Sequence, residues 1–413
     1  MSGKTTRLEG YQIRLFVFLS VATFFEGYDF LALAQVLTEL ERDFGLSKID
    51  KGYLVTFVNL GTIVAYVLVR HADRWGRKPM LTLTIAGYTT FTFLTGLAPS
   101  IIWFAVFQFI ARIFLIAEWA TSMLYAAEEF PADRRGMVIG VISAFSALGA
   151  VVCAGVTEHL IRIPWGYGWR NIYFVGIIPL VILAYFRRSL KESSRFAALP
   201  PSGVGKTKKR SLFHVWKTPH RKRVLQLGLI WGLTYVSTQT AVTFWKDFAI
   251  SERDLSPDVA GSSIAIAAVV AMPLVFYAGR LIDILGRRRG AVIIFLLSAA
   301  GVFACYSVEG RWPLTVALIF GIFGASAVMP VLNAYNSELF PTAVRGDAYA
   351  WSNNLLGRIS YVVSPIVVGH LAESQGWGPV VRWTAVGPIL ALIVILMVLP
   401  ETGSKELEET AAV

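Results

Sequence analysis

Long apolar stretches separated by short charged ones dominate this chain. From residue 13 onward, runs of about twenty residues rich in Leu, Ile, Val, Ala, Phe and Gly recur, each long enough to cross a hydrocarbon core about 30 Å thick. Lipid offers peptide groups no hydrogen bonds, so such runs must be helical. The pattern predicts twelve spans, at about 13–38, 51–70, 79–97, 101–126, 137–159, 170–187, 223–247, 258–281, 290–308, 313–337, 346–371 and 380–399. The first follows a short basic leader (Lys4, Arg7, Arg14). It is too long for a signal core and lacks a small-residue cleavage site, so it reads as a span.

The charged stretches between the spans repeat. Asp73-Arg74-Trp75-Gly76-Arg77-Lys78 returns as Asp283-Ile284-Leu285-Gly286-Arg287-Arg288, and Glu128-Glu129-Phe130-Pro131, with Arg135-Gly136 after it, returns as Glu338-Leu339-Phe340-Pro341, with Arg345-Gly346. Both pairs are offset by 210 residues (283 − 73 and 338 − 128). Two matches at one offset indicate a parallel internal repeat. The expected fold is therefore all-α: twelve transmembrane helices in two pseudo-symmetric six-helix halves. Residues 1–187 form the N-terminal half, 188–222 a basic central loop, and 223–413 the C-terminal half with a short polar tail.

Composition agrees with a membrane protein. Hydrophobic residues make up 55%, charged residues 16%, and the mean hydropathy is +0.59. The net charge of +11 is concentrated: Arg187 to Arg223 holds twelve Lys or Arg against one acid, Glu192. By the positive-inside rule this loop and both termini are cytoplasmic. Its charge suits anionic lipid rather than nucleic acid. Cys153 and Cys305 lie in apolar runs and read as inert. The five His have no metal spacing, and neither a phosphate-binding loop nor a catalytic motif is present. The expectation is a non-enzyme without cofactor or metal, whose partners are the bilayer, protons and a small molecule.

Five ionisable residues fall near the middle of predicted spans, where each costs roughly 2.5–3.5 kcal/mol to insert and marks function by default. Glu26 and Asp29 are three apart on the first span and share a face. Arg112 lies midway along the fourth, with Glu118 further along it, and Arg358 lies midway along the eleventh. Arg112 is the natural partner of the acids on the first span. The balance between burial and this cation suits Asp29, with Glu26 second, to carry a proton; Arg112 and Glu118 complete the proton-coupling set. A static ion pair is the other reading. Arg358 has no counterpart in the repeat (358 − 210 is Leu148) and presents a fork suited to a substrate carboxylate. Arg112, Tyr28, Asn59, Tyr235, Gln239, Asn333, Tyr335 and Asn354 complete the candidate binding set.

These motifs resemble those of the major facilitator superfamily over essentially the full length. The repeated Asp-Arg-x-Gly-Arg-Lys loop resembles its signature. The Glu-x-Phe-Pro…Arg-Gly loops and Pro400-Glu401-Thr402-Gly403 resemble the sugar-porter, organic-ion and metabolite:proton symporter branches. Phe25-Glu26-Gly27-Tyr28-Asp29 is similar to the Asp-Gly-Phe-Asp of aromatic-acid:proton symporters, and Arg112…Glu118-Trp119 to the Arg…Gly-Glu-Trp of metabolite:proton symporters. The resemblance implies alternating access. Asp73, Arg77, Glu128, Arg135, Asp283, Arg287, Glu338 and Arg345 would then be gating residues that bias a two-state equilibrium. Val69 replaces the Gly that opens the signature loop and that the second copy keeps as Gly279. In the family that Gly packs the second helix closely on the eleventh, so Val69 is expected to shift the balance of states.

The reading that follows is a proton-coupled symporter of a small organic anion, such as a monocarboxylate or aromatic acid. It would work as a monomer in a bacterial inner membrane. A proton-coupled antiporter exporting drugs or metabolites, a sugar or polyol:proton symporter, and a non-transporting sensor are the alternatives. Substrate identity and direction stay open.

Overall fold

In a computed structural model of the chain, the described residues (9–69, 75–131, 134–163, 167–179, 182, 191–192 and 212–403) are helices joined by short turns. Asp73, most of the basic loop 188–222 and most of the second half of the sixth predicted span lie outside the described residues, as does the Arg135 side chain. Nine helical stretches among the described residues are long and apolar enough to cross a membrane.

The N-terminal helices are α1 (Gly10–Phe44), α2 (Lys48–Val69), α3 (Arg77–Gly96), α4 (Ile101–Glu129), α5 (Arg135–Ile161) and the short α6 (Arg170–Phe174). After a single turn at Leu212–Lys217 follow α7 (Arg221–Thr243), α8 (Trp245–Ser251), α9 (Pro257–Leu285), α10 (Arg287–Cys305) and α11 (Arg311–Glu338). The chain ends with α12 (Thr342–Tyr349), a π-helix (Ala350–Gly357), α13 (Arg358–Gln375), α14 (Trp377–Trp383) and α15 (Val386–Val398).

Local chemistry sets several ends. The Ser256 hydroxyl accepts from the Val259 N–H and Pro257 opens α9, a pairing that caps free N–H groups and needs none from the proline. Gly76 and Gly286 open α3 and α10 at φ 90° and 85°, a conformation that costs a glycine little. These are the same positions of the two repeats.

Three predicted spans are interrupted. The seventh, expected at 223–247, ends at Thr243 and is followed by the separate α8. The eleventh, expected at 346–371, contains the π-helix, which places one extra residue in the turn before Arg358. The twelfth, expected at 380–399, begins earlier and breaks between Trp383 and Val386.

The chain forms two compact units. One comprises Met1–Val36 and Val58–Lys209, the other Leu37–Phe57 and Arg210–Val413. In the first, Leu15, Phe18, Leu19, Leu81, Ile85, Tyr88, Leu115 and Ile142 build the core, and α3 packs along α4. Val69 joins Leu68 against Met80 and Ala117. In the second, α10 packs along α11, and Trp231, Ile294, Phe295, Val331 and Phe340 anchor the core. The second unit takes in the end of α1 and the start of α2 because Lys51, Thr38 and Lys48 are bound to its polar groups, as described below.

Candidate functional site

In the first unit the acids are placed by a close helix crossing. A Cβ on Gly27 would come within 1.9 Å of the Ser146 carbonyl oxygen, and one on Gly149 within 1.8 Å of the Phe24 carbonyl oxygen. Only glycine permits this approach of α1 to α5. It brings the Ser146 hydroxyl to the Glu26 carboxylate, to which it donates at 2.7 Å. Three residues on, Thr92 of α3 donates to Asp29 Oδ2 at 3.2 Å, while Asp29 Oδ1 has no hydrogen-bond partner among the described residues. Arg112 of α4 is buried; its guanidinium lies 4.6 Å from the Phe30 ring centroid, and its charge acts on both Glu26 and Asp29. Glu118 is fully buried. Ser122 donates to its Oε1 at 2.5 Å, and its Oε2 meets no donor among the described residues. The structure thus brings all four expected proton-coupling residues into one unit. Tyr28 is buried beside them, with its hydroxyl donated to the Ile172 carbonyl at 3.3 Å. Asn59 is buried on α2 of the same unit.

In the second unit Arg358 stands in an aromatic frame. Its guanidinium lies 5.5 Å from the Tyr361 ring centroid and makes no ion pair among the described residues, and its Nε has no hydrogen-bond partner. Tyr361 meets Tyr235 edge to face at 5.3 Å, and Tyr235 lies 5.3 Å from Trp231. A chain of hydrogen bonds borders the frame. Tyr235 donates to Asn353 Oδ1 at 2.7 Å, Asn353 Nδ2 donates to the Tyr349 hydroxyl at 2.7 Å, and Tyr349 donates to Asn333 at 3.3 Å. Such an array offers a cation, flat apolar faces and orienting polar groups, which is what a planar carboxylate requires. Of the expected binding residues, the structure joins Tyr235 and Asn333 in this chain and lays Arg358 alongside it. Asn353 bonds Tyr235, and Asn354, next to it on the π-helix, is half-buried. Gln239 is buried further along α7. Tyr335 sits elsewhere, near Glu401, Arg288 and Glu338.

The repeated loops form matched clamps, each inside its own unit. Arg77 grips Glu128 through Nε and Nη2, the latter at 2.7 Å, while Glu192 accepts the Arg77 backbone N–H at 2.7 Å. Arg287 grips Glu338 in the same way at 2.7 Å and also reaches Asp283 at 2.6 Å. Glu401 accepts the N–H groups of Arg287 (2.7 Å) and Arg288 (2.9 Å), and Thr402 donates to Glu338 at 2.6 Å. Sequence reading left out Glu192 and Glu401, whose chain separation from the loops hides the contact. The Arg345 side chain donates to the Phe340 carbonyl at 3.2 Å.

A further polar cluster forms at the edges of the second and seventh predicted spans. Lys51 and Asp247 are both about 1% exposed and pair at 2.7 Å. Trp377 Nε1 donates to the same Asp247 oxygen at 2.7 Å, Thr38 to the other at 3.1 Å, and Lys51 also pairs with Glu41. Nearby, Lys48 pairs with Glu252 at 3.4 Å.

With the arrangement described, relatives place it. A model of the Major Facilitator Superfamily matches residues 19–251 and 233–412. The chain belongs to the Major Facilitator Superfamily. It is therefore an integral membrane transporter and not an enzyme. It is 28% identical over 388 residues to the cis,cis-muconate transport protein of Acinetobacter baylyi, covering 90% of each chain. It is 23% identical to the niacin transporter NiaP of the same organism, over 93% of each chain, and 23% identical to a gallate transporter of Pseudomonas putida, over 98% of this chain and 95% of that one. In fold it is similar to the inward-open xylose transporter XylE of Escherichia coli, with a TM-score of 0.77 at 18% identity over 97% and 99% of the two chains. The resemblance to an organic-acid branch of the superfamily is thus supported by relatives as well as motifs.

Proposed function

We propose that this superfamily member is a proton-coupled symporter of a small organic anion, an aromatic or other monocarboxylate, working by alternating access. The observation that carries the reading is Arg358: a half-buried guanidinium without an ion-pair partner among the described residues, framed by Tyr235, Tyr361 and Trp231. A cation set among aromatic rings without such a partner suits an incoming anion, and a substrate carboxylate supplies the charge in a bidentate fit. Muconate, niacin and gallate, the cargoes named for its relatives, all carry carboxylates.

The coupling chemistry resides in the first unit. Asp29 keeps one carboxylate oxygen unpartnered and is the proton carrier in this reading, with Glu26 held by Ser146 beside it and Arg112 as the shared counter-charge. Proton binding and substrate binding then become linked equilibria. Arg77–Glu128 and Arg287–Glu338, with Asp283 on Arg287, stiffen helix ends in the cycle, and Asp73, Arg135 and Arg345 remain gating residues in this reading. Twelve spans with both termini cytoplasmic, a bacterial inner membrane and monomeric function complete the proposal. A cationic-drug exporter fits the free guanidinium poorly.

Thermal stabilisation of the purified protein tests it. Nicotinate, benzoate, gallate and cis,cis-muconate are compared with an amine and a sugar, at about pH 5.5 and about pH 7.5. A carboxylate present at a hundredfold its Kd stabilises by about 2.7 kcal/mol. The stabilisation is expected to be larger at the lower pH and lost in Arg358→Ala. Stabilisation by the amine or sugar alone, unchanged in the variant, contradicts the reading.

A further inference from the structure

Among the described residues, the first unit buries three of its acids near one another, with one cation beside two of them. Glu26, Asp29 and Glu118 are each at most 6% exposed, and Arg112 is the cation whose charge reaches Glu26 and Asp29. If all three acids were ionised, two negative charges would remain uncompensated among buried helices, which neither the Ser and Thr donors nor lipid can support. Proton coupling through Asp29 removes one of them. The second falls on Glu118, whose Oε2 meets no donor among the described residues.

The groups facing Glu118 are Ser122 on its own helix, Tyr88 from α3 and Glu26 from α1; Tyr173 of α6 faces Asp29 and Arg112. Tyr88 is fully buried, and its hydroxyl has no hydrogen-bond partner among the described residues.

We infer that Glu118 is a second exchangeable proton site beside the Asp29–Glu26 pair, so that each transported monoanion is accompanied by two protons. The inference rests on the proposed symport, and its consequence is that uptake of a monocarboxylate carries one net positive charge inward.

Uptake of nicotinate, benzoate and gallate into proteoliposomes of the full chain, driven separately by a pH gradient and by a potassium diffusion potential, decides it. Two protons per anion predict that each inside-negative 59 mV raises accumulation about tenfold, and that each unit of pH gradient raises it about a hundredfold. Glu118→Gln is expected to lose the response to potential and to fall to about tenfold per pH unit. Wild-type uptake that responds to the pH gradient but is indifferent to potential means one proton per anion and overturns the inference while leaving the symport intact; this arm needs no variant to fold. Failure of any of the acids to respond to either gradient overturns the symport reading and the inference with it.

Discussion

Lys51 and Asp247 meet at 2.7 Å with almost no exposure on either side, 196 residues apart in the chain. Asp247 is saturated: Trp377 and Thr38 donate to its two oxygens beside the lysine. Removing one member of such a pair leaves an uncompensated buried charge, at about 3–5 kcal/mol. Lys51→Met is therefore expected to lower the unfolding midpoint in detergent markedly. Adding Asp247→Asn, which removes the stranded charge but keeps oxygen acceptance, should recover part of the loss. Equal midpoints for the single and double variants would show that the charge is not what holds the cluster.

Glu401 provides a pH signature outside the spans. Burial pushes its carboxyl up, but the backbone N–H groups of Arg288, Gly403, Arg287 and Thr402 outweigh this and hold it below the usual range. A carboxyl depressed on folding contributes stability above its unfolded pKa of about 4.3, and that contribution is lost as pH falls through the lower folded value. Glu401 is largely solvated, so the effect is about 1 kcal/mol or less after screening. Glu401→Gln should thus melt earlier than wild type at neutral pH, with the gap closing below about pH 4. A gap that persists at low pH would assign the effect to packing instead.

The crossing of α1 and α5 is expected to be intolerant of a single methyl group. In Gly149→Ala the new Cβ falls on the Phe24 carbonyl, so the helices must part and Glu26 loses Ser146; overpacking of this kind costs roughly 1–3 kcal/mol. Gly140 lies on the same helix with nothing within 4 Å of its would-be Cβ, and Gly140→Ala should be neutral or slightly stabilising. Melting and pH-driven uptake measured on both variants check this. Indifference to Gly149→Ala would mean that the helices are not in contact there.

What could be read in the chain was what repeats or what violates its surroundings. The apolar runs gave the helices, the 210-residue offset paired Arg77 with Arg287 and Glu128 with Glu338, and the charges at Glu26, Asp29, Arg112, Glu118 and Arg358 stood out because lipid does not tolerate them. What could not be read depends on phase or on distant partners. The π-helix at Ala350–Gly357 changes no composition, so nothing in the sequence announces it. Lys51 opens the second predicted span and Asp247 closes the seventh, positions where charge is ordinary, and only the fold brings them together. Ser146, Thr92 and Tyr88 are ordinary residues on apolar helices; nothing but the proximity of acids on other helices distinguishes them.

The central claim is that a proton gradient drives an organic anion through this protein, with Asp29 as carrier. The most direct measurement is accumulation of labelled nicotinate, benzoate or gallate in proteoliposomes under an inward pH gradient, for wild type and Asp29→Asn. The account predicts accumulation above equilibrium in wild type that collapses when a protonophore is added. In Asp29→Asn it predicts no gradient-driven accumulation while substrate exchange persists. Accumulation that ignores the protonophore, or that survives unchanged in Asp29→Asn, would contradict it.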